Sequence, residues 1–180
     1  MGVKDGFMGA SVMMKVALIL LIVANLFSWI AFTTTSWGYI DSNIVNFRGD
    51  GLWMRCGESV GCSRSDGTRL DWYAAFQAFG IFGFVGINLA MLLVVLTMFV
   101  GSCKGNAEAN MGAVIMCFAG AVCWLIAVII FAAEWPDWVG NVPDKFGFSF
   151  ALAIIALIIS VVAGILLVVG GKGGGGTSPA

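Results

Sequence analysis

The chain contains no histidine, and only 11% of its 180 residues are charged. The absence of histidine removes a common general base and a common zinc ligand. A formal net charge of -1 leaves no basic surface for nucleic acid. The hydrophobic share of 60% is more than a water-soluble domain of this size buries in one core. We therefore expect the lipid bilayer to be the solvent, and we expect no nucleic-acid partner.

Four long segments also lack Asp, Glu, Lys and Arg altogether: Val16 to Thr33, Phe76 to Val100, Met111 to Ala133 and Phe146 to Val169. Each is long enough to cross about 30 Å of hydrocarbon as a helix that rises 1.5 Å per residue. The sequence predicts one four-span domain at 1–169, with spans at about 12–33, 76–100, 111–133 and 146–169. The predicted loops are 34–75 and 134–145, and 170–180 is predicted to be a flexible, glycine-rich tail.

The spans lack the features of a transport pathway or of an enzyme. Pumps, transporters and channels place ionisable groups at membrane depth because function requires them there, and these spans contain none. No proline breaks a span to create a binding site at the midplane. We predict no catalytic residue, no metal, no cofactor and no small-molecule substrate.

Small residues recur within the spans, where they allow helices to approach closely in lipid. They are Gly80, Gly83 and Gly86 in the second span, Ala119, Cys123 and Ala127 in the third, and Ala156, Ser160 and Gly164 in the fourth. We expect these stripes to close the protein's own bundle. A contact between copies of the chain is the alternative.

The first loop contains two cysteines, Cys56 and Cys62, on either side of a five-residue polar segment. This spacing lets them face each other across a hairpin at a separation that suits a disulfide. Two free thiols or half of a metal site is the alternative, but the chain offers no histidine and no further loop cysteine on that side to complete a zinc site. A disulfide would place this loop in an oxidising compartment and both termini in the cytoplasm.

The first loop also predicts an antiparallel meander, because β-prone segments alternate with turn residues. The strands are predicted at Trp37 to Ile40, Ile44 to Arg48 and Leu52 to Cys56, with turns at Asp41 to Asn43 and Gly49 to Gly51. Trp53 lies in the middle of the loop and is expected to pack against the helix ends. The other tryptophans at span ends are expected to form an interfacial aromatic belt: Trp37, Trp72, Trp135 and Trp138.

Two shorter segments carry further predictions. The second loop contains Pro136 and Pro143, which indicate a rigid turn able to add one strand or turn to the sheet. Cys103 follows the second span beside Lys104 and is a candidate for palmitoylation. An unmodified cysteine at the membrane surface is the alternative at that position.

The motif Gly51-Leu52-Trp53, preceded by Trp37 and followed by Cys56 and Cys62, resembles the signature of the claudin superfamily, which includes peripheral myelin protein, epithelial membrane protein and stargazin-like branches. Two further stretches, Trp72 to Ala78 and Phe146 to Leu152, are similar to the myelin and epithelial branch. The resemblance implies a mostly α membrane protein: a left-handed bundle of four transmembrane helices, capped by a small extracellular antiparallel β-sheet from both loops, with Cys56 and Cys62 bonded.

The resemblance also implies a function. We expect a structural and adhesive protein of cell–cell contacts, multi-pass in the plasma membrane, whose partners are the lipid bilayer and like molecules in the same or an apposed membrane. The alternative is an auxiliary subunit of a channel or receptor complex, as for the stargazin-like members. A paracellular pore or barrier is less favoured, because the cysteines are closer together than in vertebrate junctional claudins. The ending Thr177 to Ala180 is also a poor ligand for their PDZ scaffolds.

Overall fold

The computed structural model of the protein describes residues 3–40, 48–58, 61–65, 67, 70–101, 103, 105–140 and 144–172. Five helices lie in these segments: α1 (Val3–Gly9), α2 (Val12–Thr33), α3 (Asp71–Phe99), α4 (Ala107–Val139) and α5 (Phe148–Lys172). The helices α2 to α5 are each long and apolar enough to cross a membrane. With the small antiparallel sheet, they confirm the predicted class of a mostly helical chain with four spans.

Two of the long helices begin at side-chain caps. The hydroxyl of Ser11 accepts a hydrogen bond from the Met14 amide (3.2 Å) at the start of α2. The amide oxygen of Asn106 accepts hydrogen bonds from Glu108 N (2.8 Å) and Ala109 N (3.3 Å) at the start of α4. Such caps satisfy backbone donors that have no partner within the helix. The sequence therefore specifies where these two helices begin, in addition to the apolar length that lets them cross a membrane.

Glycines of α3 lie where other parts of the chain come close. A Cβ atom on Gly86 would lie 2.7 Å from the Cα of Gly120, so the backbones of α3 and α4 meet there. A Cβ on Gly83 would lie 2.7 Å from Cδ1 of Trp124, and one on Gly80 would lie 2.9 Å from Cδ2 of Leu52. The second span thus packs against α4 along two of these glycines and receives a loop residue at the third.

The small residues of α5 also face the interior of the bundle. Ala156 and Ser160 are fully buried, and Ser160 donates a hydrogen bond to the Cys117 carbonyl on α4 (3.1 Å). A Cβ on Gly164 would lie 3.1 Å from the Cβ of Cys117. Small residues at these positions allow α4 and α5 to pack closely without a hydrophobic drive from water.

The stripe predicted in the third span does not close the bundle along its whole length. Ala127 is buried, but Cys123 is only half-buried and Ala119 is exposed. The prediction is wrong for Ala119, because α4 packs against α3 through Gly120 and Trp124, which turns Ala119 outward.

Within the described residues, the sheet has five short strands: β1 (Gly38–Ile40), β2 (Arg48–Asp50), β3 (Met54–Gly57), β4 (Gly61–Arg64) and β5 (Asp144–Phe146). Their order is β4-β3-β2-β1-β5, and all neighbouring strands are antiparallel. The first four strands come from the first loop, and β5 comes from the second loop. The sheet therefore draws on both loops, as the resemblance implied.

The turn predicted at Gly49 to Gly51 is wrong for its first two residues, because Gly49 and Asp50 belong to β2. Gly49 lies opposite Cys56 of β3, and a Cβ on Gly49 would lie 2.6 Å from the Thr35 carbonyl oxygen. Tertiary pairing and close approach therefore override the local turn preference of this segment. The predicted turn at Asp41 to Asn43 and most of the predicted strand Ile44 to Arg48 lie outside the described residues.

The helices extend beyond the charge-free runs at the end that carries the sheet. The first turn of α3 begins at Asp71, and α4 continues through Pro136 to Val139. The predicted turn at Pro136 is therefore wrong, although a proline inside a helix costs about 3 kcal/mol. Burial of Trp135 and partial burial of Trp138 on this last turn offset that cost. The predicted tail at 170–180 is wrong for its first three residues, because α5 continues to Lys172. Pro143 and residues 173–180 lie outside the described residues.

Candidate functional site

The turn Gly51-Leu52-Trp53 joins the sheet to α3 through backbone carbonyls. The hydroxyl of Tyr73 donates a hydrogen bond to the Gly51 carbonyl, and the side-chain amide of Gln77 donates to the Leu52 carbonyl (2.8 Å). A Cβ on Gly51 would collide with the carbonyl of Thr34, so only glycine lets the turn approach the end of α2 this closely. The turn is therefore held by two adjacent helices.

The two large residues of this turn fill the space beneath the sheet. Leu52 is fully buried, in the notch left by Gly80. Trp53 is half-buried and packs edge-on against Phe32 of α2, with ring centroids 5.2 Å apart. Leu52 and Trp53 thus contact α3 and α2 respectively, which anchors the middle of the loop.

Trp37 is the central residue of the junction and is fully buried. Its indole nitrogen donates a hydrogen bond to the Ala31 carbonyl (2.7 Å), and its ring lies 4.8 Å from Phe76 and 5.8 Å from Trp124 between centroids. Its backbone N–H donates to the Asp50 carbonyl (3.0 Å). Trp37 thus connects the sheet, through its backbone, to the interior of the bundle, through its side chain.

The predicted aromatic belt is wrong for Trp37 and Trp135, because both are fully buried. The sheet lies over the ends of the helices, and side chains at that level are enclosed between the two layers. Trp72 and Trp138 are half-buried, with ring centroids 6.2 Å apart. The interfacial interpretation therefore still applies to these two residues.

Cys56 of β3 and Cys62 of β4 lie directly opposite each other and form a disulfide, with Cα atoms 4.0 Å apart. The bond closes the hairpin that makes up one side of the sheet. In the chain-entropy account, closing so short a ring stabilises the folded loop by about 2 kcal/mol. A hairpin of short strands with little burial is marginal without such a link.

A charged cluster that sequence reasoning missed lies beside this hairpin. Asp50 is fully buried, and its carboxylate accepts hydrogen bonds from Arg48 (Nε to Oδ2, 3.1 Å) and from Arg55. Both guanidinium groups lie over the ring of Trp138, at 5.0 Å and 4.4 Å from its centroid. Cation–π contact with Trp138 therefore connects the end of α4 to the sheet.

The sequence contained part of the signal for this cluster. Residues two apart on a strand share a face, so Arg48 and Asp50 could have been paired once β2 was recognised. The contribution of Arg55 depends on the β2–β3 register, and that of Trp138 depends on the extension of α4. Neither is visible from local spacing.

Cys103 lies between α3 and α4, at the end of the bundle opposite the sheet, and is half-buried. Its backbone N–H donates to the Val100 carbonyl (3.0 Å), and its carbonyl accepts from Asn106 N (3.1 Å). This places Cys103 in a turn that follows α3, the kind of juxtamembrane position at which cysteines are palmitoylated. Palmitoylation of Cys103 stays a prediction.

Four long apolar helices capped by a disulfide-linked sheet from two loops define a multi-pass membrane protein of the four-span class. The profile of the PMP-22/EMP/MP20/Claudin family matches residues 6–167, and the chain belongs to this family of non-enzymatic membrane proteins. A search of curated proteins gave no match.

Proposed function

We propose that the protein is a structural and adhesive component of cell–cell contacts in the plasma membrane. In this proposal the sheet faces the outside, both termini lie in the cytoplasm, and the sheet meets like molecules in the same or an apposed membrane. Membership of the PMP-22/EMP/MP20/Claudin family supports this role. The Cys56–Cys62 disulfide supports the orientation, because such bonds persist in oxidising compartments.

The observation that carries the proposal is the open edge of the sheet at β4. This strand is one of the two outermost strands of the sheet, and all four of its residues are exposed. An exposed edge can pair with a strand from another molecule through backbone hydrogen bonds. The disulfide holds β4 in place beforehand, which lowers the ordering cost of such pairing.

The attachment of the sheet to the bundle also supports a structural role. Trp37, Leu52 and the hydrogen bond from Tyr73 fasten it to the bundle at separate points. A rigid cap of this kind suits a structural role better than a flexible loop does.

The test uses cells that express the tagged protein next to cells that do not. We expect enrichment at borders where both cells express it, and none where only one cell does. Cys56→Ser should lower that enrichment because it releases β4, whereas Cys123→Ser, which removes a half-buried thiol within α4, should not. Normal border enrichment of Cys56→Ser, or equal enrichment at one-sided borders, would contradict homophilic adhesion through the sheet.

One observation favours the alternative, an auxiliary subunit of a channel or receptor. Ala119 is exposed on α4, where it offers a small-residue surface to a helix of another protein. Under this alternative, gently solubilised wild-type protein migrates with a much larger membrane complex. The Ala119→Leu variant should no longer migrate with that complex. Val122→Leu, at an exposed residue of the same helix, is the matched control. Migration of the wild type by itself would count against the auxiliary role.

A paracellular pore is less favoured. A selective path needs charged side chains along its wall, and Asp50 is fully buried between two arginines. Its carboxylate is therefore not available to a permeant ion.

A further inference from the structure

An open pocket of about 500 Å³ lies where the outer strands of the sheet meet the helix ends. Its lining includes Arg55 of β3, Ser63 and Arg64 of β4, Tyr73 at the start of α3 and Trp138 at the end of α4. Pockets of this size hold small ligands or headgroups.

The charge of the lining favours an anion. No Asp or Glu is among the described residues that line the pocket. Behind it, the single negative charge of Asp50 is shared by Arg48 and Arg55, so this cluster keeps an excess of one positive charge. Arg64 adds another, and it forms no ion pair with any residue in the described part of the chain.

The arginine at the pocket wall is also positioned in advance. Arg55 is held by the Asp50 carboxylate on one side and lies 4.4 Å from the centroid of Trp138. Its side chain is still 29% exposed and lines the pocket. A guanidinium held in place binds phosphate, sulfate or carboxylate oxygens with little further loss of side-chain entropy.

The position of the pocket relative to the bilayer indicates which anions are close to it. The 29 residues of α3 span about 43 Å, against about 30 Å of hydrocarbon. The first residue of this helix, Asp71, is charged and exposed, and Tyr73 lies only two residues after it. Trp138 similarly lies beyond Ala133, where the charge-free run of α4 ends. Both residues are therefore at headgroup level.

We propose that this pocket binds the phosphate group of an anionic phospholipid in the leaflet on the side of the sheet. The guanidinium groups of Arg55 and Arg64 hold the phosphate oxygens, and the hydroxyl of Ser63 donates a hydrogen bond beside them. The inference depends only on depth and charge, so it is independent of adhesion and of which compartment the sheet faces. Free inorganic phosphate offers the same oxygens and is the alternative ligand for the pocket.

The test is the lipid content of full-length protein purified from nanodiscs made of phosphatidylcholine with a minor fraction of phosphatidylglycerol. We expect phosphatidylglycerol to be enriched on the wild type. Arg64→Gln should lower that enrichment about five-fold, the typical effect of removing one cation that faces anionic lipid. Ser63→Glu, which places a carboxylate at the exposed pocket wall, should abolish it.

Lys145→Gln is the matched control, because Lys145 is exposed on β5, at the opposite edge of the same sheet. It removes the same charge from the same end of the molecule and should leave the enrichment unchanged. An intact disulfide and an unchanged melting temperature establish that each variant is folded.

Three results would overturn the proposal. No enrichment on the wild type is the first. The second is an equal effect of Arg64→Gln and Lys145→Gln, which would indicate attraction by overall charge. The third is binding of inorganic phosphate to protein in phosphatidylcholine discs together with displacement of phosphatidylglycerol, which would assign the pocket to a soluble anion.

Discussion

The contact between Leu52 and Gly80 offers a direct test of how the first loop is held on the bundle. Leu52 is fully buried, and a Cβ on Gly80 would lie 2.9 Å from its Cδ2 atom. Leu52→Ala removes buried methyl groups and leaves a cavity, which costs about 2–5 kcal/mol. Gly80→Ala overfills the same notch and costs about 1–3 kcal/mol, less the helix propensity that alanine gains.

The two changes should compensate each other. The methyl group that Gly80→Ala introduces occupies space that the shortened side chain at position 52 vacates, and no overlap remains. The double variant should therefore be less destabilised than the sum of the single variants by about 0.5–3 kcal/mol.

The assay is equilibrium unfolding of purified protein in mixed micelles, with all four members of the cycle measured under the same conditions. The control cycle pairs Leu52→Ala with Gly112→Ala. Among the described residues, a Cβ on Gly112 would meet only Leu93 Cδ1, at 3.3 Å, and Leu52 is not among its neighbours, so the two changes should add. Strict additivity in the Leu52–Gly80 cycle would refute the packing described for this junction.

Three further perturbations address other parts of the molecule. Asp50→Asn leaves Arg48 and Arg55 without their carboxylate, and we expect a loss of about 1–3 kcal/mol in unfolding free energy. The loss should be smaller than for a fully buried ion pair, because both arginines are partly exposed. An unchanged melting curve would be inconsistent with the cluster. Gly86→Val drives a branched side chain against the Gly120 backbone and should abolish monodisperse protein on size exclusion. Gly101→Ala should not, because a Cβ there meets none of the described residues within 4 Å. Trp37→Phe removes the donor to the Ala31 carbonyl together with part of the buried ring. We expect a loss of at least about 1–3 kcal/mol in the same unfolding assay, and an unchanged unfolding free energy would contradict this buried hydrogen bond.

The tertiary structure decided how the sheet is attached, since this depends on residues that are distant in sequence. Trp37 and Trp135 were predicted at a lipid interface, yet both are buried because the sheet covers the helix ends. Asp50 was predicted in a turn, and it is instead the buried anion of a cluster drawn from β2, β3 and α4. Ala119 lies outside the bundle because Gly120, its neighbour, contacts α3.

The sequence by itself determined the four spans and the partnership of Cys56 with Cys62. Spans follow from length and from the absence of charge, because lipid penalises every unpaired polar group regardless of what lies next to it. The disulfide follows from short spacing within one hairpin, a local property. Register, helix rotation and the burial of aromatic side chains are set by packing between distant segments, and local patterns do not encode them.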